Sequence, residues 1–259
     1  MNAVNRTLKV LSLIAENNKT MTLSQVSEEL ALPLATAHRL LKTLEQEKFI
    51  SRDPVTLEYS PGKKIFRIAS LTRRHSLSGA ADPIIKSLSH RFNETVLISQ
   101  LLEHRVICIA MAESRRALHL SVSVGQPMPL HASSSARVLF SDWTNTEIDE
   151  LFAKFTFTQL TKDTPDSVNK VLEHVDHIRN YGYDESENEF DLGVWSASAP
   201  IWDAQSKILA SLTLTAPRER SHQSEIRMEI IDAVLEAAHD ITLMIGGKAP
   251  ERKDESTLQ

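Results

Sequence analysis

The sequence predicts a mixed fold, in which a mainly α-helical amino-terminal unit is joined to a larger α+β domain. The first 60 residues contain three segments with apolar residues at helical spacing, followed by two short extended segments around Asp53-Pro54. Beyond residue 80, apolar runs typical of strands occur between helical segments. The order helix, helix, turn, helix, hairpin is that of a winged helix-turn-helix.

The three amino-terminal helices follow from apolar spacing and helix-start signals. The first is expected over Val4–Glu16, with one apolar stripe formed by Val4, Leu8, Leu11 and Ala15. Thr22 or Ser24 begins a short second helix. Pro33 is placed in the first turn of a third helix, where its missing N–H costs nothing, and this helix ends near Glu47.

A hairpin and a connecting helix are predicted next. Phe49–Arg52 and Leu57–Tyr59 are the two extended segments of the hairpin, and Pro61–His75 has the spacing of a helix. We therefore expect a winged helix-turn-helix over residues 1–60, a linker helix over 61–77, a second and larger domain over 78–247 and a disordered tail over 248–259.

The second domain is predicted as a sheet with helices before, between and after its strands. The expected strands are Thr95–Leu101, Val106–Met111, Leu118–Val124, Tyr183–Asn188, Val194–Ile201 and Ile208–Thr215. The expected helices are Ala81–Phe92, Ser133–Phe140, Thr146–Phe152, Pro165–Asn180 and Ser224–Ile245.

Charge is distributed unevenly along the chain. The net charge is −5, but residues 1–75 carry twelve Lys or Arg and seven Asp or Glu, hence +5, against −10 for the remainder. This asymmetry is expected when one end of a protein meets a polyanion. The sequence contains no run of about 18 apolar residues, the length that would predict a membrane span. The single cysteine, Cys108, is interpreted as a buried strand thiol, and we expect a cytoplasmic protein.

The third helix carries the main argument for DNA binding. Its buried stripe is predicted as Ala37, Leu40, Leu41 and Leu44, which turns a polar and basic face outward. Such a face after a short helix and a tight turn is typical of a recognition helix in the major groove. The candidate DNA-binding residues are Arg6, Thr36, His38, Arg39, Lys42 and Arg52. Arg39 is expected to pair with guanine, whereas Arg6 and Arg52 are expected to contact the phosphate backbone.

Several segments resemble the IclR family of bacterial regulators, named for the isocitrate lyase regulator, over about residues 4–246. In the first unit these are VNRTLKVLSLIAE, MTLSQVSEELALPLATAHRLLKTLEQEKFISRDP and YSPGKKIF. In the second they are GQPMPLHASSSARVLF, IRNYGYDESENEFDLGVWSASAPIWD and LASLTLTAP. The resemblance implies a GAF-like second domain that binds a small organic effector, a carboxylate or an aromatic acid. It also implies dimers or tetramers, a near-palindromic double-stranded operator and a repressor.

The resemblance also implies an effector pocket, whose residues transfer position by position. They are Leu120, Ser134, Ser135, Ser186, Val194, Ser196, Thr213 and Thr215. The chain departs from the family pattern here: Ser186 stands where an acidic residue is common, Arg137 replaces a frequent Lys, and Trp195 replaces a frequent Arg next to the pocket. In the recognition helix, Leu34 and Ala35 replace the usual Lys and Ser.

Two other interpretations remain open at this point. An enzyme is disfavoured, because the chain has no G-x-S-x-G elbow and no glycine-rich phosphate loop, so no catalytic residue and no cofactor is predicted. His174 and His177 have a spacing that permits a metal pair, but an exposed polar helix face explains them better, and no metal is predicted. The second alternative is a regulator of the same fold that acts by oligomerisation without a ligand.

Overall fold

The computed structural model of the chain describes residues 3–16, 20–65, 67–68, 77–102, 105–116 and 122–250. The chain forms two compact units, Met1–Ser76 and Leu77–Gln259. Three predicted segments lie wholly or partly outside the described residues: the end of the linker helix, residues 118–121 with Leu120, and the tail from residue 251. The predicted combination of a helix-turn-helix unit and an α+β domain is confirmed.

The first unit consists of three helices and a two-stranded sheet. They are α1 (Ala3–Glu16), α2 (Leu23–Glu29), α3 (Leu34–Gln46), β1 (Ile50–Arg52) and β2 (Tyr59–Pro61). Buried apolar side chains from every one of these elements meet in one core: Val10, Ile14, Met21, Val26, Leu40, Leu41, Leu44, Ile50 and Tyr59. This core holds α3 against the other helices and leaves its opposite face to solvent.

Local signals fix the ends of α2 and α3. Thr22 is the N-cap of α2: its hydroxyl accepts a hydrogen bond from the Gln25 amide at 3.4 Å, and the Gln25 side chain accepts one from the Thr22 amide at 2.8 Å. Ala31 has a φ of +49° in the turn that follows. Pro33 is the N-cap of α3 and not part of its first turn, since α3 begins at Leu34.

The apolar stripe predicted for α1 is packed only in part: Leu11 is half-buried against the core of the unit, but Val4 and Leu8 are not. Val10 and Ile14 are the buried residues of α1, whereas Val4 is 64 % and Leu8 56 % exposed. The helix carries apolar residues on two faces, and periodicity alone could not decide which of them packs against α3. Packing within the unit does not explain the apolar surface that α1 exposes, and such a surface is typical of an interaction site.

The wing is a short antiparallel hairpin in which Ile50 pairs with Pro61. Asp53 closes it, because its carboxylate accepts hydrogen bonds from the amides of Thr56 and Val55 at 2.9 and 2.7 Å, and these bonds hold the pKa of Asp53 below its ordinary value. Pro61 was predicted to begin the linker helix but ends β2; helical residues follow at 63–65 and 67–68. A Cβ on Gly62 would lie 2.4 Å from the Lys48 carbonyl oxygen, so only glycine fits there.

The second unit is built on a six-stranded antiparallel sheet of order β5-β4-β3-β8-β7-β6. The strands are β3 (Thr95–Leu102), β4 (Arg105–Ala112), β5 (Pro127–Met128), β6 (Asp184–Glu187), β7 (Val194–Trp202) and β8 (Ile208–Pro217). The helices are α4 (Leu77–Phe92), α5 (Ser134–Leu139), α6 (Asn145–Phe152), α7 (Val168–Tyr181), α8 (Arg218–Ser221) and α9 (Ser224–Met244).

The two faces of the sheet differ in chemistry. One face packs against α4 and α9 through apolar side chains such as Ile98, Trp195, Leu212 and Leu214. On β7 and β8 the alternate residues, Ser196, Ser198, Thr213 and Thr215, belong to the opposite face, because successive side chains point to opposite sides. Helix α5 lies over this second face, and α6 and α7 form a smaller core beyond it.

The predicted strand Leu118–Val124 is wrong over its described part. The chain turns at Ser123–Gln126, where Gly125 has a φ of +90° and its amide donates to the Cys108 carbonyl at 2.7 Å. On the side of β4 away from β3, the pairing strand is instead the two-residue β5. None of the helices in the described part of the chain has the length and apolar character needed to cross a membrane.

Candidate functional site

The outward face of α3 is polar and basic. The predicted stripe of Ala37, Leu40, Leu41 and Leu44 is buried, as expected. His38, Arg39 and Lys42 are exposed, and Thr36 is half-buried near the start of the helix. Among the described residues, no side chain bonds to the Arg39 guanidinium or the Lys42 ammonium. Both cations are therefore available to a polyanion.

The other two candidate DNA contacts lie on α1 and in the wing. Arg6 is half-buried on α1. Arg52 is exposed at the end of β1, where its Nε donates to the Leu57 carbonyl at 3.4 Å and its guanidinium lies 5.5 Å from the centre of the Tyr59 ring. Arg52 is thus held against the hairpin but keeps most of its donors free.

A cavity lies between the start of α5, the hydroxyl-bearing face of the sheet and the connection between β6 and β7. Its volume is about 90 Å³, several times the roughly 10–15 Å³ that one water molecule needs. Its apolar walls are Leu97, Val122, Met128, Ala132, Phe190 and Val194. Its polar walls are Ser133, Ser135, Ser186, Asp191, Ser196, Thr213 and Thr215. The cavity has the mixed apolar and polar lining that is typical of a site for a small organic molecule.

The register of the sheet explains why these hydroxyls come together. Ser186, Ser196 and Thr215 are partners across β6, β7 and β8, so they form one row on the sheet. Ser198 and Thr213 form the next row, two residues further along β7 and β8. Residues two apart on a strand share a face, and both rows therefore face α5.

Hydrogen bonds link α5 to this face of the sheet. The Ser134 hydroxyl lies 2.8 Å from both the Ser196 and the Ser198 hydroxyl. The Ser198 hydroxyl is in turn 2.8 Å from the Thr213 hydroxyl. Ser134 is fully buried beneath the cavity and does not line it. Six of the eight predicted effector residues line the cavity: Ser135, Ser186, Val194, Ser196, Thr213 and Thr215.

Sequence reasoning missed a buried ion cluster beside the cavity. Arg137 on α5 is fully buried; its Nε donates to Asp184 at 2.7 Å and its Nη1 to Glu189 at 2.6 Å. Further bonds reach the carbonyls of His131 and Glu185. Burial alone would lower the pKa of Arg137, but the two carboxylates outweigh it and hold that pKa above its ordinary value.

His174 belongs to the same cluster, which corrects its assignment to an exposed helix face. Its Nδ1 lies 2.8 Å from Asp184, and its side chain is only 30 % exposed. The register explains the contact, since Asp184 pairs with Ser198 and so shares the cavity-side face of the sheet. The one sign of this cluster in the sequence was Arg137, which stands where the family frequently has Lys.

The structure corrects the interpretation of Trp195 and agrees with that of Cys108. Trp195 does not lie beside the cavity: it points to the opposite face of the sheet, where it is fully buried and its Nε1 donates to Glu185 at 2.9 Å. Cys108 is a buried strand thiol as predicted, and burial raises its pKa to about 11. A thiol with that pKa is a poor nucleophile.

Both units match models of known families. Residues 3–54 match the IclR helix-turn-helix domain, and residues 69–243 match the domain described as bacterial transcriptional regulator IclR C-terminal. The transcriptional repressor IclR of Escherichia coli is 26% identical over 248 residues, which cover 95% of this chain and 90% of that protein.

Two solved structures show the same fold. An IclR transcriptional regulator from Alicyclobacillus acidocaldarius matches with a TM-score of 0.82 and 22% identity, over 94% of this chain and 98% of that one. An IclR homologue from Microbacterium hydrocarbonoxydans, complexed with 4-hydroxybenzoate, matches with a TM-score of 0.82 and 19% identity, over 94% and 99%. The family models together cover most of the sequence, and the chain belongs to the IclR family of bacterial transcriptional regulators.

Proposed function

We propose that the chain is a repressor that binds a near-palindromic operator through α3 and is controlled by a small organic effector in the cavity beneath α5. The observation that carries the proposal is the hydroxyl-lined cavity in a chain that also holds an exposed basic recognition helix. Such a protein acts where the chromosome is, in the cytoplasm of a bacterium. The proposal gives it no catalytic role and needs no cofactor.

DNA recognition is assigned to the six residues predicted from the sequence. Thr36, His38, Arg39 and Lys42 would lie in the major groove, because they share the exposed side of α3. Arg6 and Arg52 would contact phosphates on either side and fix the position of α3 without reading bases.

Replacing Arg39 with alanine should weaken operator binding by about 1–3 kcal/mol, the value of a good bidentate base contact. Gel-shift titration of an operator fragment at several salt concentrations measures this loss. Arg91→Ala is the matched control: it also removes one exposed arginine, but from the second unit. Wild-type affinity of the Arg39 variant would remove this residue from the interface.

Dimerisation is assigned to the exposed apolar stripe of α1. Val4 and Leu8 expose more than half of their surface, and Leu11 on the same stripe is half-buried. A second copy would cover these side chains and present two recognition helices to the two halves of a palindrome. Pairs of such dimers would give a tetramer.

Replacing Leu8 with glutamate should shift the protein towards monomers, because a charge placed in an apolar contact must be desolvated. Analytical ultracentrifugation gives the dissociation constant of the dimer, which we expect to rise about tenfold or more. Leu160→Glu, on an exposed loop of the second unit, is the control. An unchanged dissociation constant in the Leu8 variant would place the interface elsewhere.

The effector is proposed to be a small carboxylate or aromatic molecule. The known ligand in a homologue of the same fold, 4-hydroxybenzoate, has both features. Hydroxyls on three strands and on α5 can donate to or accept from such a ligand. A screen of organic acids and aromatics for operator release, with thermal shift as the binding assay, separates this proposal from a regulator that acts by oligomerisation alone.

Thr213→Val and Ser196→Leu should abolish the ligand response and leave operator binding intact. Thr213 loses the hydroxyl that bonds to Ser198, and a leucine at position 196 fills the cavity. Calorimetry with a ligand from the screen measures the change in affinity. Thr146→Val, on the exposed side of α6, is the matched control. Unchanged ligand affinity in both cavity variants would show that the effector binds elsewhere.

A further inference from the structure

Asp191 is the one charged side chain among the described residues that line the cavity. It lies in the connection between β6 and β7, where the residue is exposed to solvent as well as lining the cavity. Its backbone carbonyl accepts from the Val194 amide, but no described residue bonds to its carboxylate. The cavity therefore combines several neutral hydroxyls with one free acceptor that carries a negative charge.

The neighbouring ion cluster does not neutralise that charge. Arg137 is the only cation in the cluster with a fixed charge, and it already bonds to the two carboxylates of Asp184 and Glu189. The cluster's fixed charges therefore sum to minus one, on the same side of the sheet as Asp191. The cluster therefore offers Asp191 no unpaired cation, and an anionic ligand group placed beside the Asp191 carboxylate would be repelled by it.

Serine and threonine hydroxyls both donate and accept hydrogen bonds, so they do not determine whether the ligand group that meets them is a donor or an acceptor. An ionised aspartate only accepts. From this difference we propose that the effector presents a hydrogen-bond donor, a hydroxyl or a protonated amine, to Asp191, so that this residue determines which small molecules are recognised. The inference rests on the proposed effector site and specifies the chemistry of the ligand at one end of it.

Two matched ligand series test the proposal by calorimetry on the full-length chain. The aromatic series is benzoate, 4-hydroxybenzoate and 4-(aminomethyl)benzoate; the aliphatic series is propionate, 3-hydroxypropionate and 3-aminopropionate. Within at least one series, the ligand with a donor should bind to the wild-type protein about tenfold or more tightly than the ligand without one. Asp191→Ala should abolish that preference, whereas Asp163→Asn, on an exposed loop, should keep it.

Asp191→Asn separates the two kinds of donor. Asparagine keeps an acceptor oxygen without the charge, so a hydroxyl ligand should keep most of its affinity and an ammonium ligand should lose it. Equal binding of ligands with and without a donor, or a preference that persists in Asp191→Ala, would overturn the assignment while leaving the effector site in place. Failure of all six ligands to bind the wild-type chain would count against the effector site itself, and the role of Asp191 would fall with it.

Discussion

Replacing Arg137 with methionine should lower the free energy of unfolding of the second unit by about 3–5 kcal/mol, the cost of removing one partner from a buried ion pair. Asp184 and Glu189 would remain buried, 1 % and 9 % exposed, without the cation that compensates for their lost hydration. Methionine approximates the length of the arginine stem, so the change removes charge and donors with little loss of packing.

The same substitution should disturb the effector site. Arg137 ties α5 to β6 and to Glu189, and residues of these three segments line or adjoin the cavity. When the bonds are lost, Ser135 on α5 and Ser186 on β6 are no longer held at fixed separation. We therefore expect loss of the ligand response at temperatures where the variant is still folded.

The measurement can be confined to the second unit. All three tryptophans, Trp143, Trp195 and Trp202, lie in Leu77–Gln259, so urea unfolding followed by tryptophan fluorescence reports on that unit alone.

Arg218→Met is the control: Arg218 pairs with Glu187 at the surface with a side chain 55 % exposed, and we expect a change of about 1 kcal/mol or less. Arg137→Lys should fall between the two, because lysine restores the charge but not the forked geometry. A methionine variant as stable as the wild type would show that the cluster contributes no net stability.

The sequence predicted those parts of the fold that follow from short-range periodicity. The buried stripe of α3 was predictable residue by residue, because four apolar side chains at helical spacing leave only one face to bury. The hydroxyls of β7 and β8 were predictable for a similar reason, since residues two apart on a strand share a face.

Features that depend on partners distant in the sequence could not be predicted. Arg137 meets Asp184 and Glu189 across about 50 residues, and only the order of the strands brings them together. The face of α1 that packs, with Val10 and Ile14, could not be identified from the sequence, because apolar residues occupy two sides of the helix. Trp195 was placed beside the pocket from its position in the sequence, although alternation on β7 points it to the other face of the sheet.

Replacing Gly62 with alanine should destabilise the wing by about 1–3 kcal/mol, the usual cost of forcing an extra methyl group into a packed site. The added Cβ would lie 2.4 Å from the Lys48 carbonyl oxygen and 2.8 Å from backbone atoms of Ile50. These are backbone atoms, which cannot rotate away as a side chain would. The Gly62 amide also donates to the Phe49 carbonyl at 2.8 Å, so the segments cannot separate without losing a bond.

The expected outcome is weaker operator binding with an unchanged second unit. Arg52 lies two residues after Ile50 on the same strand, so a displaced β1 moves its guanidinium away from the phosphate it would contact. Gel shift should show reduced affinity, while tryptophan fluorescence and ligand binding, which report on the second unit, should match the wild type. Gly125→Ala, in the second unit, is the control. Its added Cβ meets no atom within 4 Å, so only the backbone strain of a φ of +90° is introduced. If the alanine at position 62 left operator affinity unchanged, the wing would not contribute to DNA binding, and Arg52 would lose its assigned role.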